Sequence, residues 1–326
     1  MDKDFKRAVA EADRYARKRN YPCLFPGCKE TAIRGHGIQR ALISEALAVN
    51  GVVYSLQQSF AQLLEMKSPY APLKIVEIGI NDASVFRGYC SQHDHALFAA
   101  AEIVKGKKPR GKYVALHLRA ITFEYSRKRR TAIYYEKIGE LHRSNHMRMD
   151  AKIQEIEYKD ICKFMVKEYL ERFYAVTPNP DLNNVEFFCL PFTRNLMVSC
   201  CGCFTSNKDG DPDSLIGYNL ISYSDISVLV LTIFKTGEHH LNEFLTSYSD
   251  ADGNERLVND IAFSYSEEPL ISPNVWLSLS ATQKLEVRLS LRPPEFRTGE
   301  EIPRVIKLSP SDYFKSVTPK LYERLI

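Results

Sequence analysis

Two pairs of metal-ligand side chains stand near the two ends of the first hundred residues. Cys23 and Cys28 enclose a Pro-Gly turn, and Cys90 and His93, separated by two residues, precede a predicted helix. Ligands this close on one turn can bind the same ion, and Zn²⁺ takes four Cys or His ligands in a tetrahedron. Together these four residues predict a structural zinc site.

Eight cysteines are spread over 326 residues, and the chain opens on a charged segment without the apolar stretch of a secretion signal. Disulfide frameworks belong to oxidising compartments, so we expect reduced thiols and a metal site. Incidental thiols in two turns are the alternative. Cys200, Cys201 and Cys203 alternate along a predicted strand, which favours buried thiols over a second metal site.

The pattern C-x4-C…AIRGHGIQ…FRGYCSQHD, over residues 23–98, resembles the HNH endonucleases. More closely, the chain resembles uncharacterised bacterial HNH-like proteins with a C…C, SH, FC-x2-HD arrangement. The resemblance implies a treble-clef (ββα-metal-like) zinc module. It also implies hydrolysis of phosphodiester bonds with catalytic Mg²⁺ or Mn²⁺.

Carried over residue by residue, the resemblance makes His36 the general base. Asp94 stands where HNH enzymes usually have a metal-ligating histidine, and His95 follows it, so both are candidate catalytic residues. The chain departs from the family at Gly35, where these enzymes typically carry Asp or another ligand. Two other roles for His36 stay open, a structural hydrogen bond and zinc ligation.

Charge is unevenly distributed along the chain. Residues 1–150 carry 26 Lys and Arg against 15 Asp and Glu, whereas the remainder carries 18 against 25. A basic half favours a polyanionic partner, here nucleic acid and most simply DNA, although solvated helix faces give the same composition. The candidate phosphate contacts are Arg34, Arg40, Arg87, Lys107, Lys108, Arg127, Arg129 and Arg130.

We therefore predict a zinc-stabilised HNH-like endonuclease with His36 as general base. The alternative is a catalytically inactive zinc-dependent module that binds nucleic acid or protein. The C-terminal region is expected to dock a protein partner or a ligand.

Apolar periodicity predicts a helix over 2–20, a helix over 39–49 and short strands at 52–54 and 74–80. A long helix is predicted from 113 to about 149, with Arg127–Arg130 on its exposed face. A second helix is predicted from about 150 to 173. Its predicted apolar stripe contains Ile153, Ile156, Ile161, Phe164, Met165, Tyr169 and Leu170.

Beyond residue 177 the pattern changes to short strand-like runs. Strands are predicted at 185–190, 196–204, 215–222, 227–234 and 285–291, with helices near 241–248 and 255–263. The predicted fold class is α+β. Its predicted domains are a zinc domain (1–110), a helical basic connector (111–176) and a mixed, β-rich accessory domain (177–326).

No run of about 18 apolar residues occurs, which predicts a chain without membrane spans or membrane partners. Together with the charged start, this predicts a cytoplasmic location.

Overall fold

The computed structural model describes residues 3–56, 72–102, 109–176, 184–206, 211–291 and 304–313. The α-helices are α1 (Lys3–Lys18), α2 (Arg40–Leu42), α3 (Ser91–Glu102), α4 (Pro109–Leu141), α5 (Asn145–Met165), α6 (Arg172–Val176), α7 (Glu238–Thr246), α8 (Gly253–Asp260), α9 (Pro273–Ser278) and α10 (Ala281–Ser290). The strands are β1 (Gly35–His36), β2 (Val52–Leu56), β3 (Ile75–Gly79), β4 (Val85–Phe86), β5 (Val185–Phe192), β6 (Val198–Thr205), β7 (Leu215–Ser222), β8 (Ser227–Phe234) and β9 (Leu270–Ile271). π-Helical turns follow α2, α5 and α8, at Ile43–Leu47, Val166–Glu171 and Ile261–Tyr265.

Helix α4 lies at the centre of the molecule. Residues 112–126 of this helix are all buried, because α1, α3 and α5 pack against it and strands β5 to β8 cover another side. A helix enclosed on every side needs no polar face, and most of this stretch is accordingly apolar. The buried polar groups Lys112, His117 and Arg119 are exceptions that must find partners inside the protein.

The main sheet has seven strands in the order β3-β2-β9-β6-β7-β8-β5, and the paired strands are antiparallel. Every residue of β7 and β8 is buried, since α4 covers one face while α7, α8 and α10 contribute to the core on the other. Strands buried on both faces read as continuous apolar runs. The eight-residue run of β8, SVLVLTIF, has this form.

The β2–β3 ribbon, from the first third of the chain, belongs to the same sheet as the C-terminal strands. Tyr54 of β2 pairs with Ile271 of β9, and Ile271 pairs in turn with Val198 of β6. One core cluster also runs from Cys23 to Leu270. Residues on both sides of the predicted domain boundaries therefore pack together, while the division into three domains itself stays a prediction.

The structure confirms an α+β class and most predicted elements. Helix α1, β2, β3 and the four strands β5 to β8 lie where the periodicity places them, with β7 and β8 at the predicted bounds. The thiols of β6 are also as predicted, because Cys201 faces the α4 side of the sheet and Cys200 faces the other core. None of the described helices is both long enough and apolar enough to cross a bilayer.

The predicted strand at 285–291 is wrong, because this segment lies in helix α10. A capping box begins the helix: the Gln283 backbone N–H donates to Ser280 Oγ over 3.2 Å, and the Ser280 N–H donates to Gln283 Oε1 over 3.0 Å. These two bonds satisfy backbone donors that a helix start leaves free. The S-x-x-Q signature therefore decides the structure of an apolar run that periodicity alone leaves ambiguous.

The helical middle also departs from its prediction. The long helix ends at Leu141, and α5 begins at Asn145, several residues before the predicted boundary. The predicted apolar stripe of α5 is wrong in part, because Ile153, Ile156 and Phe164 are exposed. Met165 of the predicted stripe is buried as expected, and Ala151 and the half-buried Cys162 share the face that packs inward.

Burial of Lys112 gives a testable pH dependence. This side chain is 5% exposed, its Nζ lies 3.3 Å from the Tyr223 hydroxyl, and burial lowers its pKa to about 8. The unfolded chain keeps the lysine protonated up to about pH 10.4, so between these values folding releases a proton. The contribution of Lys112 to stability therefore becomes more favourable as the pH rises from 8 to 10.

We expect Lys112→Met to be more stable than the wild type at pH 7 by about 2 kcal/mol, with the difference shrinking toward pH 10. Urea unfolding at pH 7, 8, 9 and 10 measures this difference, and Lys74→Met, at an exposed position, is the control. A difference that stays constant over this range contradicts the assignment.

Candidate metal centre and adjoining strand pair

Four potential ligands converge at one point, two from the turn after α1 and two from the start of α3. The atoms Cys23 Sγ, Cys28 Sγ, Cys90 Sγ and one ring nitrogen of His93 all lie within 4.8 Å of one another. Cys90 Sγ is 3.2 Å and Cys23 Sγ 3.6 Å from His93 Nδ1. Three thiols and one imidazole at this spacing can hold one metal ion.

Backbone hydrogen bonds shape the turn that carries the first two ligands. The Cys28 N–H donates to the Phe25 carbonyl over 3.0 Å, and Gly27 has a φ of +75°, a conformation that favours glycine. The Leu24 N–H donates to the Gly88 carbonyl over 2.9 Å, which fixes the turn beside the segment leading to Cys90. The two ligand pairs are thus positioned by the backbone as well as by any bound ion.

Aromatic contacts orient the imidazole of the fourth ligand. The Phe25 ring stacks on His93, with centroids 3.9 Å apart and planes inclined by 8°. Tyr174 meets Phe25 edge-on, and its hydroxyl lies 2.7 Å from the hydroxyl of Tyr89. Tyr89 and Tyr174 are 85 residues apart in sequence, so no local pattern indicates this support.

The thiols differ in electrostatic environment. Burial raises the pKa of Cys23 to about 11, whereas a hydrogen bond from the His93 backbone lowers the pKa of Cys90. A thiolate is the form that binds a metal, and metal binding displaces the thiol proton. The N–H directed at Cys90 therefore favours the ligand form before any cation arrives.

Beside the ligand cluster, β1 and β4 form a small two-stranded antiparallel sheet, the β1–β4 strand pair, although β2 and β3 lie between them in sequence. His36 pairs with Val85, and its Nε2 is buried without a hydrogen-bond partner among the described residues. Burial, with the positive charges of Arg40 and Arg34, lowers the pKa of His36, and a hydrogen bond to the backbone of Ile80 opposes part of this effect.

The glycine before His36 makes room for a carboxylate. A Cβ on Gly35 would lie 2.9 Å from Asp94 Oδ1, so the Asp94 side chain fills the space that a side chain at position 35 would enter. Asp94 belongs to the first turn of α3, and its N–H donates to the Cys90 carbonyl over 2.8 Å. The helix that carries His93 and directly follows Cys90 thus also brings a carboxylate to the strand of His36.

The glycine after His36 has a different reason. A Cβ on Gly37 would lie 2.6 Å from Cys201 Sγ and 2.7 Å from Ser84 Oγ. Both distances are shorter than a side-chain carbon can approach, so only glycine lets this segment after β1 pack against β6. The Gly-His-Gly sequence is therefore explained by two close approaches, one on each side of the histidine.

The other candidate residues, on α3 and beside the β1–β4 strand pair, are not all placed next to His36. His95 is exposed, and no described contact joins it to His36. Arg34 is exposed and paired with Asp82 in the turn before β4. Arg40 is exposed, while the half-buried Arg87 donates to the Ala32 carbonyl over 3.4 Å.

The predicted exposed basic face of α4 is wrong. The Arg127 side chain is 14% exposed and pairs with Glu267, Glu124 and Glu268 of the surrounding protein. Lys128 lies 2.9 Å from Glu124.

The two arginines that follow are half-buried as well. Arg129 stacks over the rings of Tyr21 and Tyr125 and donates to the Arg87 carbonyl over 2.6 Å, and Arg130 lines a cleft described next. Lys107 and Lys108 lie outside the described residues.

A cleft of about 1110 Å³ opens next to the β1–β4 strand pair, and it is bounded by α1, the β2–β3 ribbon, β4 and α4. Neither His36 nor Asp94 lines it, but Val85 and Phe86 of β4 do. The basic residues lining this cleft are Arg14, Arg17, Lys18, Arg34, Arg87, Arg127 and Arg130, and the acidic ones are Asp13, Glu77, Asp82 and Glu268. Arg14 and Lys18, on the charged face of α1, were not among the sequence candidates.

Comparisons with models of protein families, with curated proteins and with solved structures found no match to this chain.

The cluster predicts the effect of losing one ligand. We expect Cys90→Ala to remove bound metal and to lower the free energy of unfolding by at least about 3 kcal/mol, because binding energy at such a site is folding energy. Mass spectrometry of the metal content and urea unfolding measure the two effects. Cys162→Ala, at a half-buried thiol outside the cluster, should keep the metal. Equal metal content in Cys90→Ala and the wild type would contradict the site.

Proposed function

We propose that this protein is an HNH-like, metal-dependent phosphodiesterase acting on nucleic acid, with a structural zinc ion in its Cys₃His cluster. One observation carries the proposal: the carboxylate of Asp94 lies against Gly35, next to His36, whose Nε2 is buried and without a described partner. The order of the Cys23–Cys28 turn, the β1–β4 strand pair and the helix that carries His93 supports a treble-clef description of this region.

The donor set supports zinc at the cluster. Three thiols and one imidazole nitrogen are ligands that Zn²⁺ prefers, whereas Mg²⁺ and Mn²⁺ prefer oxygen. The four ligands come from two buried and two half-buried residues, an arrangement typical of a closed structural site.

His36 has the features of a general base. Its Nε2 has no hydrogen-bond partner among the described residues, so in the tautomer with the proton on Nδ1 this nitrogen keeps its lone pair to accept a proton. Because burial lowers its pKa, the ring is neutral at neutral pH, which is the form able to take a proton from water.

Asp94 has the features of a ligand for a second, oxygen-preferring ion. A carboxylate oxygen suits Mg²⁺ or Mn²⁺, and when bound such an ion stabilises charge on a phosphate undergoing hydrolysis. In HNH enzymes the residue before the histidine supplies such a ligand, and here Asp94 enters that space from α3. The glycine at position 35 is therefore compatible with metal binding beside His36.

The cleft supports a polyanionic substrate. Arg14, Lys18 and Arg87 line it, and among the described residues none of the three has a carboxylate partner. Such cations suit phosphates, which are contacted without regard to sequence. β4 forms part of the cleft wall and pairs with β1. A nucleic-acid strand bound in the cleft therefore passes close to β1, which carries His36.

The second candidate function is a zinc-stabilised module that binds nucleic acid without hydrolysing it. The exposure of His95 favours this candidate, since Asp94 is then the one helix side chain assigned to a catalytic ion. The cleft serves this function equally well.

Nicking of supercoiled plasmid separates the two functions. With Mg²⁺ or Mn²⁺ we expect the wild type to nick, and His36→Ala and Asp94→Asn to lower the rate at least about a hundredfold. His146→Ala, at an exposed histidine on α5, is the matched control and should nick at the wild-type rate.

The variants should be compared at equal zinc content, so that loss of activity is not loss of folding. Absence of metal-dependent nicking, or equal rates for His36→Ala and the wild type, would refute the enzyme.

The cleft gives a separate prediction on binding. We expect the double variant Arg14→Glu, Lys18→Glu to weaken DNA binding by at least about tenfold at low salt and to reduce the slope of log affinity against log salt by about two. Lys167→Glu, whose position is 77% exposed and outside the cleft, is the control. Fluorescence anisotropy at several salt concentrations measures both. Affinity independent of salt, or unchanged in the variant, would exclude the cleft as the binding site.

A further inference from the structure

Helix α5 carries an apolar stripe that no described element covers. Met149, Ile153, Ile156 and Phe164 are 67%, 56%, 50% and 40% exposed, and they are four of the eight large hydrophobic side chains exposed on the described surface. The opposite face of this helix packs on α4, with Ala151 and Met165 buried. The stripe is therefore presented by a helix already held in place, so a partner binds without having to order it.

The spacing of the stripe is that of a coiled-coil seam. Met149, Ile153 and Ile156 follow one another by four and three residues, and Asp160 and Lys163 continue the same pattern. In heptad terms these residues occupy positions d, a, d, a and d. The seam is thus apolar over its first three layers and charged over its last two.

Charges flank the seam with one sign on each side. The g positions hold Lys152 and Lys159, and the e positions hold Asp150, Glu157 and the apolar Phe164. Both lysines contact Glu155 of their own helix, over 3.0 Å and 2.7 Å, which keeps them along this edge. In a parallel pair of helices each g residue faces the e residue five positions further along the other helix. Lys152 then faces Glu157 of the partner subunit, and the reciprocal pair forms as well.

We propose that this protein forms a parallel homodimer through α5, with a second copy of the chain covering the stripe. The flanking charges favour this occupant and orientation, because an antiparallel pair places g against g and e against e, which brings Lys152 against a lysine and Glu157 against a carboxylate. Asp160 and Lys163 each face their own counterpart in the partner subunit, and Asp160 also lies one layer from Lys163 of the partner subunit. This end of the seam therefore holds charges of both signs, and the apolar contact is confined to the first three layers. This proposal does not depend on the proposed activity.

Sedimentation equilibrium of the full chain, from about 1 to about 200 µM, tests the interface. We expect the wild type to reach twice the mass of one chain within this range. The double variant Ile153→Asp, Ile156→Asp should raise the dissociation constant at least about a hundredfold, because it removes buried apolar area from both subunits. Both positions are exposed in the monomer, so circular dichroism should show an unchanged fold.

Leu277→Asp is the matched control, since Leu277 is 64% exposed but lies on α9, away from the stripe. It should dimerise like the wild type. A wild type that stays monomeric at the highest concentration, or an α5 double variant that dimerises like it, overturns the proposal.

Charge reversal tests the orientation. Lys152→Glu should weaken the dimer by about tenfold, because the introduced carboxylate then faces Glu157 of the partner subunit, and the dimer contains this like-charge contact twice. The double variant Lys152→Glu, Glu157→Lys should restore the wild-type dissociation constant. In an antiparallel pair Lys152→Glu relieves a contact between lysines and tightens the dimer, so tighter association of this variant overturns the proposal.

Discussion

Convergence of four ligands from two segments, 62 to 70 residues apart in sequence, is the constraint on which the N-terminal part of the structure depends. The β1–β4 strand pair has only two residues in each strand, and β2 and β3 lie between the two strands in sequence, so this pair is not stable by itself. It is held between the ligand turn and α3 on one side and α4 on the other. A metal ion that joins the turn to α3 therefore also fixes the distance between Asp94 and the strand of His36.

Helix α4 connects this region to the sheet. Its Phe123 ring meets Phe86 of β4 edge-on, and its His117 Nδ1 lies 3.0 Å from Thr232 Oγ1 of β8. Both contacts come from the same fully buried stretch of α4, which therefore links the core of the sheet to the β1–β4 strand pair. The C-terminal strands thus form part of the support of the candidate site.

Local signals account for much of what the sequence predicts, and tertiary contacts account for what it misses. The ligand spacing and the apolar runs of β7 and β8 are local, and they identify the ligand cluster and the strands. The contact between Asp94 and Gly35 joins residues 59 positions apart, and it shows as an isolated glycine in sequence. Periodicity indicates that Ile153 and Ile156 share a face, but not that this face is the exposed one. The burial of Arg127 depends in the same way on Glu267, from a distant segment.

X-ray absorption spectroscopy at the zinc edge of the purified protein tests the Cys₃His zinc site, because it counts the atoms bound to the metal. The account predicts a first shell of three sulfur atoms at about 2.3 Å and one nitrogen at about 2.0 Å. Substitution of His93 by Ala should remove the nitrogen contribution while sulfur remains in whatever zinc is retained. A first shell of oxygen and nitrogen alone, or protein purified without zinc, would contradict the account.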